Sequence, residues 1–474
     1  MRNRSVLGVA LLAAAVTASL SLGACGGNGS ASSGNNGAGS SPAATSPTIV
    51  TAGDAPMSSV LAALVTVSAV SFTSSSGSVQ LLSQPRNLEL THLGGIREPL
   101  DLHALPEGTY SSLSLTVTAA QITYMDPNTN QVVVANAVIP SANATTSITL
   151  TNPLVVSDSG ATDVRFDFDL QKSLDLTNSV VTFTPSISAA VARAKDEDGN
   201  GRLVFVDGTV TAVSTSANTI TLTTHDTGLS VTLNVNSSTK FDDNVTLATL
   251  QVGAVVQTRD QLQSDGSLTA LMVEDNDGGA SEDSNSRVDA GIVTSVTRDS
   301  NNTLTSFSMM VRNSSNEKNE GHALTVNIGQ GTSFKNSMEA QSAGLAAFDQ
   351  TQVFPGAAVR VSGTISDSTT VVARAIRPAQ VFPTGLTTVA VQSGGNGGFV
   401  ITMLLDNTTF FAKNAGIGNL TVNTNANTVF DGGNLSATNV ANLAVGSPLV
   451  ARGFFSSNGT TTVLFAAGVH EESH

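Results

Sequence analysis

Apolar and polar side chains alternate with a period of two along much of this chain. Leu113, Leu115 and Val117 fall on one face, with Ser112, Ser114 and Thr116 opposite; Val164, Phe166 and Phe168 alternate with Arg165, Asp167 and Asp169. Side chains of a β-strand point to opposite faces in turn, so this spacing predicts half-buried strands. Turn residues separate them, at Pro106-Glu107-Gly108, Asp126-Pro127-Asn128 and Ser157-Asp158-Ser159-Gly160. Short strands with frequent turns predict a β-sandwich over residues 49–195. Val60 to Val70 fits either a short helix or a strand.

The remaining chain repeats itself three times, over 203–275, 287–378 and 381–470. Each copy opens with a glycine before a strand, at Gly208, Gly291 and Gly385. Each has a threonine two residues before a phenylalanine, at Thr239 and Phe241, Thr332 and Phe334, Thr428 and Phe430. A second glycine follows, at Gly253, Gly356 and Gly446, and an apolar strand closes each copy: Leu268 to Val273, Val371 to Ile376, Val463 to Val469. The same anchors in the same order mark a structural repeat. Short helical candidates lie between the phenylalanine and the second glycine: Leu247 to Leu250, Glu339 to Phe348 and Ser436 to Leu443. Strands, a small helix and further strands are the order of a small barrel of the oligonucleotide/oligosaccharide-binding (OB) type. The fold class expected is therefore all-β: an N-terminal β-sandwich, prealbumin- or Ig-like, then three OB-like β-barrel repeats.

The N-terminus breaks the alternation. Arg2 and Arg4 precede an apolar run from Val6 to Leu22, then Leu22-Gly23-Ala24-Cys25. That is a secretory leader, 1–24, ending in small residues. Its end resembles the lipobox of bacterial lipoproteins, which implies acylation at Cys25. Gly26 rather than aspartate after the cysteine implies, by the same resemblance, the outer membrane. Residues 25–48 are rich in Gly, Ser and Asn and read as a flexible tether. Cys25 is the single cysteine, so neither a disulfide nor a cysteine metal site is available. Without the leader, Lys+Arg falls from 21 to 19 against 36 Asp+Glu, a net charge of −17. This excess, with no Trp and two Tyr, argues against nucleic acid as a partner.

Three local motifs add a resemblance: Asp54-Ala55-Pro56, Leu105-Pro106-Glu107-Gly108-Thr109-Tyr110, and Phe166-Asp167-Phe168-Asp169 before Ser173. In this order they resemble the bacterial lipoprotein family catalogued as domain of unknown function 4382. The repeats resemble the family catalogued as domain of unknown function 5666. The first resemblance implies an extracytoplasmic module with no assigned activity.

Candidate chemistry is sparse. Asp196-Glu197-Asp198-Gly199-Asn200-Gly201-Arg202 leads to Asp207, and the spacing resembles a calcium loop. Asp196, Asp198 and Asn200 would offer side-chain oxygens, Arg202 its carbonyl, and Asp207 the twelfth position. The twelfth residue is usually Glu, and the flanks read as strand, so an acidic interdomain turn is the competing reading. Glu274-Asp275-Asn276-Asp277-Gly278-Gly279 reads as a solvated linker. His470-Glu471-Glu472-Ser473-His474 matches H-E-x-x-H in letters, but a strand leads into it and no third ligand follows. No G-x-S-x-G elbow or Gly-Lys pair is present, and His92, His103, His225 and His322 are scattered. No catalytic residue is assigned. The reading is a non-catalytic, lipid-anchored envelope protein with a structural, adhesive or interaction role, partnered by the membrane through Cys25 and by an envelope protein or glycan. The alternative is a surface or periplasmic binding protein for a glycan or small solute, which a polar groove across the modules would favour. No cofactor beyond a structural calcium is implied.

Overall fold

In the computed structural model the chain folds as strands almost throughout. The structure describes residues 45–471 except 56, 58, 95, 127–128, 130, 158–159, 177–179, 195–202, 243–244, 277–285, 406–409, 411, 413–415, 433–434 and 459–460. Cys25 and the loop residues Asp196, Asp198, Asn200 and Arg202 lie outside these residues.

The sandwich pairs two sheets. One runs Ile187–Arg193, Thr162–Asp169, Thr45–Ala55, Glu98–Pro106, its two central strands parallel. The other is centred on Val60–Ser74 against Gly108–Met125, with shorter strands on both sides. Val60–Ser74, ambiguous in sequence, is thus a strand; β-branched Val65, Val67 and Val70 suit the pleat and are buried. Between the sheets lie Phe72, Leu88, Leu115, Phe166 and Phe168, each at most 1% exposed. Thr45 to Thr48, at the end of the expected tether, already form strand, and Ser46 and Thr48 are buried. Tyr110 opens its strand as the Pro-Gly turn predicts. Its ring packs 5.3 Å from Phe72, and its hydroxyl donates to the Pro106 carbonyl at 2.8 Å.

Each repeat closes a ring of five strands with one connectivity. In the first copy, Leu203–Ser214 pairs with Thr219–Thr224 and with Val255–Leu262, while Ser230–Asn234 runs parallel to Leu268–Asp275. The second copy repeats this with Ser286–Arg298, Leu304–Ser314, Ala323–Phe334, Ala358–Asp367 and Thr370–Pro378. The third uses Thr384–Thr387, Phe399–Leu405, Asn419–Asn423, Pro448–Ser457 and Thr462–Glu471. The order first, second, third, fifth, fourth, back to first is the five-stranded OB-type barrel.

The repeated residues have repeated jobs. A Cβ on Gly208, Gly291 or Gly385 would press into the carbonyl of Thr223, Met310 or Leu404 on the neighbouring strand. Gly253, Gly356 and Gly446 share a left-handed turn, with φ of 93°, 96° and 92°, which favours glycine. Their amides donate to Val210, Val293 and Thr387 carbonyls, each at 2.8 Å. Thr239, Thr332 and Thr428 donate to Ala270, Ala373 and Ala466 carbonyls at 2.6, 2.6 and 2.8 Å, tying each mid-unit turn to the closing strand. The helical candidates fare unevenly. A helix forms at Met338–Ala343, where Ser337 caps the start and left-handed Gly344 ends it. Leu247 to Leu250 is turn, and Ser436 to Leu443 holds a 3-10 turn at Val440–Asn442.

The modules do not string out on linkers. From Ala43 to His474 the chain is one compact unit. Leu61 and Ala62 of the sandwich share an apolar cluster with Ile292 and Met310 of the second barrel and Ile401 and Leu464 of the third. Ile49 and Ala161 join the core of the first barrel.

Candidate functional site

The charged residues that would be solvated on separate modules are buried where the modules meet. Asp207, on the first strand of the first barrel, meets Arg360 of the second at 2.7 Å and His225 at 3.3 Å. Burial alone would raise this carboxyl; Arg360 and His225 outweigh it and hold the group well below its usual range. Of the proposed calcium ligands this is the one described, and its oxygens face a guanidinium and an imidazole. Arg377 of the second barrel bridges Glu274 at 2.9 Å and Asp242 at 2.8 Å, both on the first. Arg452 of the third reaches Glu339 of the second at 3.3 Å and lies over the Phe205 ring of the first, 5.5 Å from its centre. Glu274, Asp275 and Asn276, expected in a solvated linker, end a buried strand and are at most 4% exposed. The linker reading fails there because Glu274 has its cation in another module.

Counting four residues on from Ala270, Ala373 and Ala466 gives Glu274, Arg377 and His470. One position in three copies thus carries an acid, a base and a histidine. Glu274 and Arg377 pair with each other. His470 instead faces Asp167 of the sandwich across a groove of about 500 Å³.

This groove is the candidate binding site. One wall is the parallel pair Thr45–Ala55 and Thr162–Asp169, in which Ala52 stands opposite Phe166 and Gly53 opposite Asp167. The first barrel adds Leu203 and Phe205, and the third adds Val429, Arg452 and His470. Arg97 and Arg165 also line it, held by buried Asp163 at 3.1 and 2.9 Å. Confinement lifts the Asp167 carboxyl to about 6, with His470 opposing and Asp169 adding to the rise. Asp54, which also lines the groove, is 4% exposed, and the Leu170 amide only partly offsets the cost of burying its carboxyl. Burial, then the charges of Asp167, Glu89 and Asp169, push it well above the normal carboxylate range.

Asp54 and the Phe166 to Asp169 motif, far apart in sequence, are therefore neighbours on parallel strands, and Tyr110 plugs the sandwich. Residues 50–185 match the family described as Domain of unknown function (DUF4382). Residues 207–274 and 400–464 match Domain of unknown function (DUF5666). These are the first and third barrels, in the order the sequence predicts; the middle barrel shares their connectivity. No catalytic family is matched. No curated protein matches the chain. Among solved structures, the crystal structure of Ag(I)CusF is 11% identical, covering 16% of this chain and 97% of that one, with a TM-score of 0.14. The wild-type single-stranded DNA binding protein from Thermus aquaticus is 14% identical, covering 40% and 93%, with a TM-score of 0.16. Neither likeness is close enough to bear on fold or ligand.

The other candidate signals resolve simply. The strand Thr462–Glu471 runs through His470 and Glu471, so these neighbouring side chains point to opposite faces, and Glu472, Ser473 and His474 of the H-E-x-x-H letters lie outside the described residues. Sequence reasoning passed over His92, which the fold brings together with Glu98 of the sandwich and Asp226 of the first barrel. One donor atom from each lies within 4.8 Å of the others. Glu98, six residues on, was legible as a neighbour; Asp226 arrives only through the fold.

Proposed function

We propose that the protein is a non-catalytic, lipid-anchored envelope protein whose compact body binds a small polar solute in the groove between the sandwich and the first and third barrels. The observation that carries this reading is the groove itself: about 500 Å³, within the range of small-ligand sites, with the buried carboxyl of Asp54 beside Asp167. The arginines there are neutralised by Asp163 and Glu339, so the groove offers carboxyl oxygens to a ligand. That chemistry suits a hydroxyl- or amine-bearing solute, such as the end of a glycan. Anchorage rests on Cys25. Among the described residues no helix is long and apolar enough to cross a membrane, and the Cys25 lipid supplies the attachment.

The test is calorimetry of the purified chain against a panel of mono- and oligosaccharides and small amines, repeated with Asp167→Asn. A ligand whose affinity falls at least tenfold in the variant supports the reading. Silence across the panel returns the body to a structural or adhesive role. Cys25→Ser should release the protein from the membrane fraction; continued anchorage would refute the lipid attachment.

A further inference from the structure

The junction of the sandwich with the first and second barrels holds more acid than base. Glu89, Glu98, Asp226 and Glu320 are all at most 7% exposed there, and the nearby bases are His92 and Arg312. Burying several carboxylates without compensating positive charge is costly, and two responses are available: protons or a cation.

The imidazole is oriented for the second response. Glu89 is fixed as an acceptor: Oε1 takes the Ala63 amide at 2.7 Å and the Thr91 hydroxyl at 2.8 Å, and Oε2 takes the His92 amide at 3.1 Å. The same Oε2 lies 3.0 Å from His92 Nδ1. A carboxylate on Nδ1 orients the ring so that Nε2 faces outward, the arrangement found behind metal-binding histidines. That nitrogen faces Glu98 Oε1 at 3.0 Å and Asp226 Oδ2 at 3.8 Å. A proton on Nε2, or a metal ion in its place, supplies the positive charge that this convergence needs.

We propose that His92 Nε2, Glu98 and Asp226 bind a divalent transition-metal cation, with zinc as the first probe. An ion about 2.1 Å from Nε2 and Oε1 would hold them about 90° apart at their present separation, and the longer approach of Asp226 fits a wider angle. One nitrogen and two carboxylate donors suit zinc or manganese, whereas thiol-seeking ions find no sulfur here. A cavity of about 60 Å³ lined by His92 and Glu98 leaves room for water as a further ligand. Because Asp226 comes from the first barrel and accepts from Asn313 of the second at 3.3 Å, the ion would staple three modules.

The experiment is equilibrium dialysis of the purified full chain, stripped with chelator, against zinc, with metal counted by mass spectrometry. Cobalt is then used as a coloured substitute. About one equivalent of zinc is expected, released as protons compete for the ligands at falling pH, with a cobalt spectrum showing nitrogen and oxygen ligation. Asp226→Asn, which keeps the size and one of the two acceptor oxygens, should weaken zinc binding at least tenfold, and His322→Ala, at an exposed histidine, should not. Should His92→Ala fail to fold, Asp226→Asn and the cobalt spectrum of the unaltered chain still decide. No zinc retained by the folded chain overturns the site; so does binding that Asp226→Asn leaves intact, which would place the metal elsewhere. The solute groove and its Asp167 variant are read separately, so either proposal can fail alone.

Discussion

Asp260→Asn should stabilise the protein at neutral pH and leave it unchanged near pH 4. Asp260 lies on the fourth strand of the first barrel, fully buried. Thr258 Oγ1 stands 2.6 Å from its Oδ2 and 3.3 Å from the Val206 carbonyl. One hydroxyl proton cannot serve both acceptors. The chain of bonds is complete when Asp260 carries a proton, donates it to Thr258, and Thr258 donates onward to Val206. Burial pushes this carboxyl up to about 8, with Thr258 giving partial relief. The folded state therefore keeps a proton that the unfolded chain loses near the ordinary aspartate value of 3.8. Stability is whole below that value, falls as pH rises, and levels off once the folded group ionises near 8. At about 1.4 kcal/mol per pH unit, the loss by pH 7 is about 4 kcal/mol as a ceiling, a large share of the roughly 5–15 kcal/mol of a typical fold. Asparagine supplies the same donor without ionising. The assay is urea unfolding of both proteins from pH 4 to pH 9. Asp167, Asp226 and Glu274 titrate in both, so the difference between the curves isolates Asp260. A gap that does not change with pH, or a variant weaker at pH 7, would refute the reasoning.

Arg360→Ala should strand the buried charge of Asp207 and cost about 3–5 kcal/mol in chemical unfolding. Adding Asp207→Asn should recover part of that loss, and no recovery would show that packing rather than charge sets it. Gly291→Ala should lower stability by about 1–3 kcal/mol, since its methyl meets the Met310 backbone, a strand that can move only with its barrel. Gly395→Ala, with open space around it, is the matched control and should change the melting temperature little.

Much of the fold was legible because strands and turns are local. Alternation located the sandwich strands, and the repeat anchors proved to be the residues that every copy needs: a glycine under a crossing strand, a left-handed glycine, a threonine tie. The short helices were less legible, since a helix needs its caps as well as its span. Ser337 and Gly344 supply both ends, and the other two copies have no such pair. The site was hardest to read. Glu274 looked like linker because its partner, Arg377, is 103 residues away. A chain with 12% charged residues looks charge-poor, yet Arg312, Arg360, Arg377 and Arg452 are all buried between modules. Asp54 and Asp167 could be named as motifs, but their adjacency depends on a parallel strand pair that no local pattern announces.

The acid, base and histidine at one repeated position bear on how such a chain can change. In a solenoid, each unit meets its neighbours through the same face, so units can be added or removed. Here the three copies have become complementary parts. Deleting the second barrel would leave Glu274 and Asp207 without their arginines, and exchanging the first with the third would set an acid where His470 faces Asp167. Duplication made the copies alike, but their differences have fixed their number and order.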